Sequence, residues 1–562
     1  MADDVQHKDG ASASHRGVDG GQERPPGRIE EADFVTRNEE EDLKRGLSQR
    51  HISLQVSHGV SSSLKATNAA QNRYSRRNRL FLGLGGSIAT AGPLGSLLGY
   101  AVIGLIVCCV QFALGEVTAL LPVTSSFVRH AEFLIDPAAG FAVGYNLVYG
   151  NFLSIPTEIS AICVLFQYWT DLNSSVWIIA IIVLTFAVGM SSIRVYGEVE
   201  FGFALLKIVF IIFLILLGLV IDLGGVPGTP RIGFRYWKSP GPFVEYIAIG
   251  SWGRFLGFWS VMSSAVFSFA GVESIAMAAA ETKNPRRAIP RACKRVFARV
   301  SIFYVLAVLV VGMLVSSDDE RLNDESGTAA QSPFVIAASA AGLKGIPSLV
   351  NAIVITSAWS SANQALLSGT RVLYGLALKK QAPSIFLRTT SWGVPYVCVI
   401  LQTAFMFLAF MTLSSSALTV FWWLVDLVAC GVLISWITIL TNHWRLLAAM
   451  RVQDVPVSLL PWHSKWTEWS TPAALVMCII ILFTSGFSVF TTGNWSASTF
   501  VSSYLDIALV TTAYLLWKFI KRTKIVSLAD IPLMEAFERA AQDQEPEKVV
   551  PGWRKWVGFL WD

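Results

Sequence analysis

The sequence is dominated by charge-free apolar runs of about 20 residues, each long enough to cross the hydrocarbon core of a bilayer as a helix. Of the 562 residues, 53% are hydrophobic and only 15% are charged, whereas soluble domains usually carry about 25% charge. A chain of this length would otherwise suggest several soluble domains. The composition instead predicts a single all-α polytopic membrane domain, embedded in the lipid bilayer and flanked by polar tails.

The apolar runs predict twelve spans, the first of which is only partial. Leu80 to Gly115 is long enough for a partial span plus a full one, with a break at Gly92-Pro93. We therefore divide the chain into an N-terminal tail (1–79), a transmembrane domain (80–520) and a C-terminal tail (521–562). The other ten predicted spans are 138–169, 176–192, 201–221, 255–280, 301–315, 347–373, 395–413, 420–441, 472–490 and 500–519.

Loop charges predict the orientation of these spans. Basic residues cluster after spans six, eight and ten, and acidic residues follow span seven. Because basic loops remain in the cytoplasm, both termini are predicted to be cytoplasmic. The basic stretch 231–238 after span five is an exception. The sequons at Asn173 and Asn494 then fall outside and are candidate glycosylation sites.

Composition and motif searches exclude several classes of function. The net charge of +5 comes from basic residues in loops between apolar spans, which argues against nucleic-acid binding. The seven cysteines show no spacing typical of a metal site or a disulfide framework. No phosphate-binding loop, cofactor motif or catalytic set is found, so we predict neither a cofactor nor an enzyme. The polar residues 1–79 predict a disordered tail without a cleavable signal peptide.

The sixth span is interrupted near its middle by a glycine and a carboxylate, Gly271 and Glu273. An ionisable residue inside a membrane is costly and marks a candidate functional site. Irregular backbone at this depth is tolerated only where it lines a cavity or is buried in protein. These features together predict a discontinuous helix at a transport site.

A series of motifs lies in order between residues 80 and 530. It includes Leu114-Gly115-Glu116, Pro156-Thr157-Glu158, Tyr196-Gly197-Glu198, Gly271-Val272-Glu273, Lys283-Asn284-Pro285-Arg286 and Arg371-Val372-Leu373-Tyr374. This series resembles the amino acid–polyamine–organocation superfamily and, more narrowly, the fungal amino acid permeases. The resemblance implies two inverted five-helix repeats plus two extra helices, with spans one and six discontinuous. It also implies that half-helix ends hold the carboxylate and ammonium groups of an amino acid, which suits the free N–H donors of helix N-termini.

One segment departs from the family pattern. Family members run from an Arg-His-Ile motif, here Arg50-His51-Ile52, directly into a glycine-rich first half of span one. Here the polar and basic segment Val56 to Arg79 intervenes, and the pattern resumes at Leu80. A segment with this many charges cannot span lipid. Two explanations stay open: genuine divergence, or an error in the coding sequence such as a translated intron.

The resemblance assigns substrate binding to the broken spans. In span six, Phe267 would form an aromatic gate, Ala270 would offer its backbone, and Gly271 would permit unwinding because it lacks a Cβ. Glu273 would contact the substrate or carry a proton. The alternatives are ordinary packing for Phe267 and a purely structural carboxylate for Glu273. In span one, the corresponding substrate-binding residues would be Gly83 and Gly85.

Two charged residues in other spans are candidates for proton coupling. Proton-coupled relatives carry a lysine at the position of Lys207, between spans one, five and eight, where it replaces a sodium ion. The alternative is a lysine that snorkels to the interface. Glu158 would contact the substrate or a cationic group, or relay protons, and a helix-stabilising hydrogen bond is its alternative. No metal site is predicted.

The inner end of span eight carries Arg371 and Tyr374, for which we predict a structural gate. Trp422, Trp423 and Ser435 of span ten would face the cavity. The resulting hypothesis is a secondary transporter that takes up amino acids with protons at the plasma membrane. The alternatives are a transport-defective sensor or paralogue, and a permease for another organic cation. Neither the substrate nor the oligomeric state follows from the sequence.

Overall fold

The computed structural model describes residues 84–123, 125–170, 172–277, 284–323, 332–413, 417–491 and 495–542. These ranges contain helices and no strand, which confirms the all-α prediction. Within them the α-helices, in chain order, are α1 Leu84–Leu120, α2 Phe127–Leu134, α3 Pro137–Phe166, α4 Ser174–Met190, α5 Ile193–Asp222, α6 Arg235–Lys238, α7 Gly250–Ser268, α8 Pro285–Leu314, α9 Pro333–Ala340, α10 Ile346–Leu378, α11 Tyr396–Met406, α12 Ala417–Val452, α13 Thr467–Thr484, α14 Ala497–Lys521 and α15 Leu533–Gln542.

Six helices in these ranges are long and apolar enough to cross a membrane: α1, α3, α5, α13, α14, and α11 together with the 3-10 helix Phe407–Leu413 that extends it. Helix α4 and the second half of α8 are shorter apolar segments. The remaining predicted spans fall on α7, α10 and α12. The described residues thus support a multi-pass membrane protein, while the total of twelve spans stays a prediction.

Several helices extend beyond the apolar runs that predicted them. Helix α8 begins at Pro285 rather than near 301, and α12 continues to Val452 rather than ending near 441. Basic residues that we had assigned to loops, such as Arg287 and Arg451, therefore lie on helices. A hydrophobicity pattern detects only the part of a helix inside the hydrocarbon, whereas the backbone hydrogen bonds continue past its edge.

The predicted break at Gly92-Pro93 is present within α1. Gly92 has a φ of 78°, and a Cβ there would lie 2.7 Å from the carbonyl oxygen of Pro242. Backbone groups at the break form hydrogen bonds with a neighbouring loop. Leu94 N donates to Pro242 O at 3.0 Å, and Val244 N donates to Ala91 O at 3.2 Å. The residues before Gly92 thus form a half-helix whose end is bonded to a loop.

A buried polar cluster joins the C-terminal part of α1 to α12 and α13. Glu116 Oε2 lies 2.7 Å from His443 Nε2 and 3.2 Å from His463 Nδ1. Its other oxygen accepts hydrogen bonds from Ser464 N at 2.9 Å and from Thr467 Oγ1 at 2.8 Å. The sequence shows Glu116 only as part of a motif. Its contacts attach α13, which corresponds to the first extra helix implied by the resemblance, to the core.

Helix packing leaves a space beside the break in span six. Helix α1 packs against α7, α8 and α12, while α3 packs against α10, α12 and α14. Helix α12 therefore contacts both groups. The candidate site lies where α3, α10 and α12 meet the end of α7.

Candidate functional site

The sixth span is discontinuous, as the sequence predicts. Helix α7 ends at Ser268, and a 3-10 helix, Val272–Ala276, follows it. Between them Gly271 has a φ of 90°, in the left-handed region that favours glycine. Side chains from neighbouring helices bond to the backbone at both ends of the break. Gln111 Nε2 donates to the carbonyl of Val272 at 2.7 Å, and the Tyr304 hydroxyl donates to the carbonyl of Ser268 at 2.7 Å.

Glu273 lies inside this break and is 7% exposed. Its Oε1 accepts a hydrogen bond from the backbone N–H of Gly271 at 3.2 Å, and its Oε2 accepts one from Trp436 Nε1 at 3.2 Å. The carboxylate therefore stabilises the unwound backbone and connects it to α12. These contacts fit the structural alternative for Glu273, and its place in the cavity wall fits the functional one.

A cavity of about 140 Å³ opens beside the break. Four of the predicted substrate-binding residues line it: Ala270, Gly271, Glu273 and Glu158. Ser435 of α12 lines it as well. The structure thus brings residues of spans three, six and ten together at one place.

Other predicted residues are not placed at the cavity. Gly85 is buried in the first turn of α1 and is not among the lining residues. Gly83 lies outside the described residues. The backbone of Phe267 belongs to the last turn of α7, but its side chain lies outside the described part, as do those of Trp422 and Trp423. The roles of these residues stay predictions.

Much of the cavity wall consists of small polar residues that we did not predict. Gln364 Nε2 donates to Ser274 Oγ, which in turn donates to the carbonyl of Gly271 at 2.6 Å. This chain connects α10 to the break. The signal that could have identified these lining residues is the presence of polar residues within otherwise apolar spans. The polar lining residues missed on α3 and α10 are Asn146, Asn151, Ser154, Ser361, Gln364 and Ser368.

Lys207 lies behind the cavity and is 3% exposed. Its Nζ donates to Ser360 Oγ at 2.9 Å, and that hydroxyl donates to Glu200 Oε1. The charges of Glu200 and Glu158 both act on the ammonium group. Lys207 is thus buried against α10 rather than extended to the interface. Glu158 lines the cavity, and its role stays a prediction.

Arg371 and Tyr374 are buried on α10, away from the cavity wall. The backbone carbonyl of Arg371 accepts a hydrogen bond from Ser125 Oγ at 2.9 Å, which connects α10 to the start of α2. This position agrees with a structural gate, which stays a prediction. Asn173 caps α4 through a hydrogen bond from Ser175 N at 2.9 Å. Asn494 lies outside the described residues.

The profile of the amino acid permease family matches residues 79–529. The dicarboxylic amino acid permease of Saccharomyces cerevisiae is 33% identical over 91% of this chain and 84% of its own length. The proline-specific permease of Emericella nidulans is 37% identical over 84% of each chain. The lysine-specific permease of S. cerevisiae is 33% identical over 87% of this chain and 77% of its own.

Among solved structures, a mutant of the manganese transporter of Eremococcus coleocola is similar with a TM-score of 0.52. The similarity covers 88% of this chain and 95% of that one, at 10% identity. At this identity the match shows a shared fold and nothing about the transported solute.

Proposed function

This chain belongs to the amino acid permease family, and we propose that it is a secondary active transporter that takes up amino acids with protons across the plasma membrane. The observation that carries the proposal is the cavity at the broken sixth span. Gly271 and Glu273 line this cavity, and Glu158 in its wall interacts electrostatically with the buried Lys207. Discontinuous helices at a central cavity are the usual substrate sites of secondary transporters.

The break supplies groups that suit the main chain of an amino acid. Ala270 and Gly271 line the cavity with backbone, and Ser274 and Gln364 add a hydroxyl and an amide. Carbonyls at the end of α7 accept hydrogen bonds from an ammonium group. In this proposal the side chain of the substrate extends toward α3 and α12.

Proton coupling rests on the position of Lys207. A fixed ammonium group between α5 and α10 supplies the positive charge that a sodium ion provides in other transporters. Glu158 lies in the cavity wall and interacts with this charge. Protonation of the Glu158–Lys207 pair and occupancy of the cavity therefore influence each other, which is what coupled transport needs.

The test is amino acid uptake by the purified chain in liposomes with imposed ion gradients. We expect uptake to follow an inward proton gradient, to collapse with a protonophore and to be independent of sodium. Lys207→Met should abolish the dependence on the proton gradient. Lys344→Met, which changes an exposed lysine just before α10, should leave it intact. Strict sodium dependence would refute the coupling scheme.

A second candidate function is a transport-defective sensor or paralogue. It is favoured by the segment Val56 to Arg79, which is too basic to complete the first span. The two functions differ in one observable. A sensor binds amino acids without moving them, so specific binding without uptake in the same preparation would favour it.

A further inference from the structure

The cavity at the broken sixth span has carboxylates in its wall and, among the described residues that line it, no lysine, arginine or histidine. The two carboxylates are Glu158 and Glu273. The buried cation of Lys207 does not line the cavity, and Glu200 also acts on it. A second carboxylate on a substrate would therefore meet like charges in the described wall, without a cation there to pair with it.

Both carboxylates of the wall already interact with the protein. The two oxygens of Glu273 accept hydrogen bonds from the backbone N–H of Gly271 and from Trp436 Nε1, each at 3.2 Å. Glu158 interacts electrostatically with Lys207. Neither carboxylate is thus a dedicated partner for a cationic side chain, and burying a charge without a partner is costly. The described wall therefore favours a side chain without charge.

Uncharged polar groups line the cavity on α3 and α12, toward which the proposed binding mode directs the substrate side chain. They include Asn151, Ser154 and Ser435. Asn151 Nδ2 donates to the carbonyl of Leu147 at 2.7 Å, and Ser435 Oγ donates to the carbonyl of Gly431 at 2.9 Å. These bonds use one N–H of Asn151 and the hydroxyl proton of Ser435, and the oxygens of both side chains keep acceptor capacity.

The Ser154 hydroxyl can accept a hydrogen bond as well as donate one. All three side chains thus present an oxygen that can receive a proton from a ligand. A substrate side chain that donates hydrogen bonds suits this part of the wall, whereas an ionised carboxylate has no proton to donate.

We propose that the cavity selects neutral amino acids whose side chains donate hydrogen bonds, such as asparagine, and rejects dicarboxylic amino acids. The carboxamide N–H groups of asparagine donate to the oxygens on α3 and α12. A carboxylate of the same shape makes none of these bonds and is repelled by Glu158. Relatives named for dicarboxylic amino acids and for lysine match at the same 33% identity, so similarity alone does not choose a substrate class.

This inference rests on the proposed function, and its test uses a set of matched ligands. Asparagine, aspartate and leucine have side chains that branch at the same carbon, and the branches carry an amide, a charge or two methyl groups. Diaminobutyrate adds a cationic side chain of similar length. Isothermal titration calorimetry measures the affinity of each ligand for the purified full-length chain.

We expect asparagine to bind about tenfold more tightly than leucine, because its amide gains a hydrogen bond that the methyl groups cannot make. Diaminobutyrate should bind more weakly than asparagine, because no carboxylate of the described wall is reserved for its charge. Aspartate should bind most weakly of the four.

A double variant tests the hydrogen bonds. Ser154→Ala combined with Ser435→Ala should lower the ratio of asparagine to leucine affinity severalfold and leave the leucine affinity unchanged. Ser160→Ala is the matched control and should change neither affinity. Ser160 is buried on α3, donates to the carbonyl of Pro156 at 2.8 Å and does not line the cavity.

A single variant tests the charge. Glu158→Gln removes one negative charge from the wall at nearly constant size, so aspartate should gain about tenfold in affinity relative to asparagine. Glu535→Gln changes an exposed glutamate on α15 and should leave this ratio intact.

Four outcomes overturn the inference. The unmodified chain may bind aspartate as tightly as asparagine, or it may bind leucine or diaminobutyrate more tightly. The double serine variant may lose all affinities equally, which would give the serines a structural role. Glu158→Gln may leave the ratio of aspartate to asparagine unchanged. In each of these outcomes amino acid binding, and with it the proposed function, survives. If no amino acid binds, the proposed function fails and the selectivity fails with it.

Discussion

Replacing Lys207 by methionine removes the buried cation while keeping most of the apolar bulk of the side chain. The unmodified chain has one positive and two negative charges in this group, contributed by Lys207, Glu200 and Glu158. After the substitution, Glu200, which is 2% exposed, and the partly buried Glu158 no longer have this cation. Removing one partner of a buried ion pair typically costs about 3–5 kcal/mol, because the remaining charge is uncompensated. We expect Lys207→Met to lose stability in this range.

A compensating substitution distinguishes electrostatics from packing. Lys207→Met combined with Glu200→Gln restores the net charge of the group and should recover about 0.5–3 kcal/mol, a usual coupling energy for residues that share a network. The control Lys344→Met should stay within about 0.5 kcal/mol of the unmodified chain, because Lys344 is exposed. Denaturant titration in detergent micelles measures the free energy of unfolding. A loss under about 1 kcal/mol in Lys207→Met, or a double variant no more stable than the single one, would refute this account.

Three further predictions concern the broken spans. Glu273→Gln should insert into the membrane but lose most uptake, and normal kinetics in a whole-cell assay would leave Glu273 a structural role only. Gly271→Ala should destabilise the chain by about 1–2 kcal/mol in the same denaturant titration, because the site has a φ of 90°. The added Cβ would lie 3.9 Å from its nearest neighbour, Gln364 Nε2, so backbone strain rather than a clash is responsible. Unchanged stability would contradict this prediction. Replacing Val56 to Arg79 with a glycine-rich apolar segment should raise amino acid uptake. Robust uptake by the unmodified chain would show that this segment does not impair transport.

The positions of the breaks could be predicted because single residues cause them. Gly271 beside a carboxylate, and Gly92 before a proline, interrupt long apolar runs, and both have the left-handed backbone that glycine adopts readily. The location of Lys207 near span eight also came from the family resemblance. In each case the signal is one residue type at one place, and it does not require knowledge of a distant partner.

The partners themselves could not be predicted. Ser360 is 153 residues away from Lys207, and Trp436 is 163 residues away from Glu273. These helices have apolar residues on every side, so their sequence pattern does not show which face meets which neighbour. Asp506 of α14 is the instructive omission, since it is 3% exposed within a predicted span. The apolar residues around it predict the span, and an acid within a membrane span is itself a signal.

The Glu116 cluster has a consequence for how the chain is made. Glu116 belongs to the first described helix, but His443 follows 327 residues later. At about 5–20 residues per second, the ribosome needs roughly 15–65 s to produce this partner after it has synthesised Glu116. During that time the carboxylate has none of its native partners from α12 and α13, and exposure to lipid would be costly. We therefore expect α1 to stay at the edge of the insertion machinery, or beside a membrane chaperone, until residues 443–467 emerge.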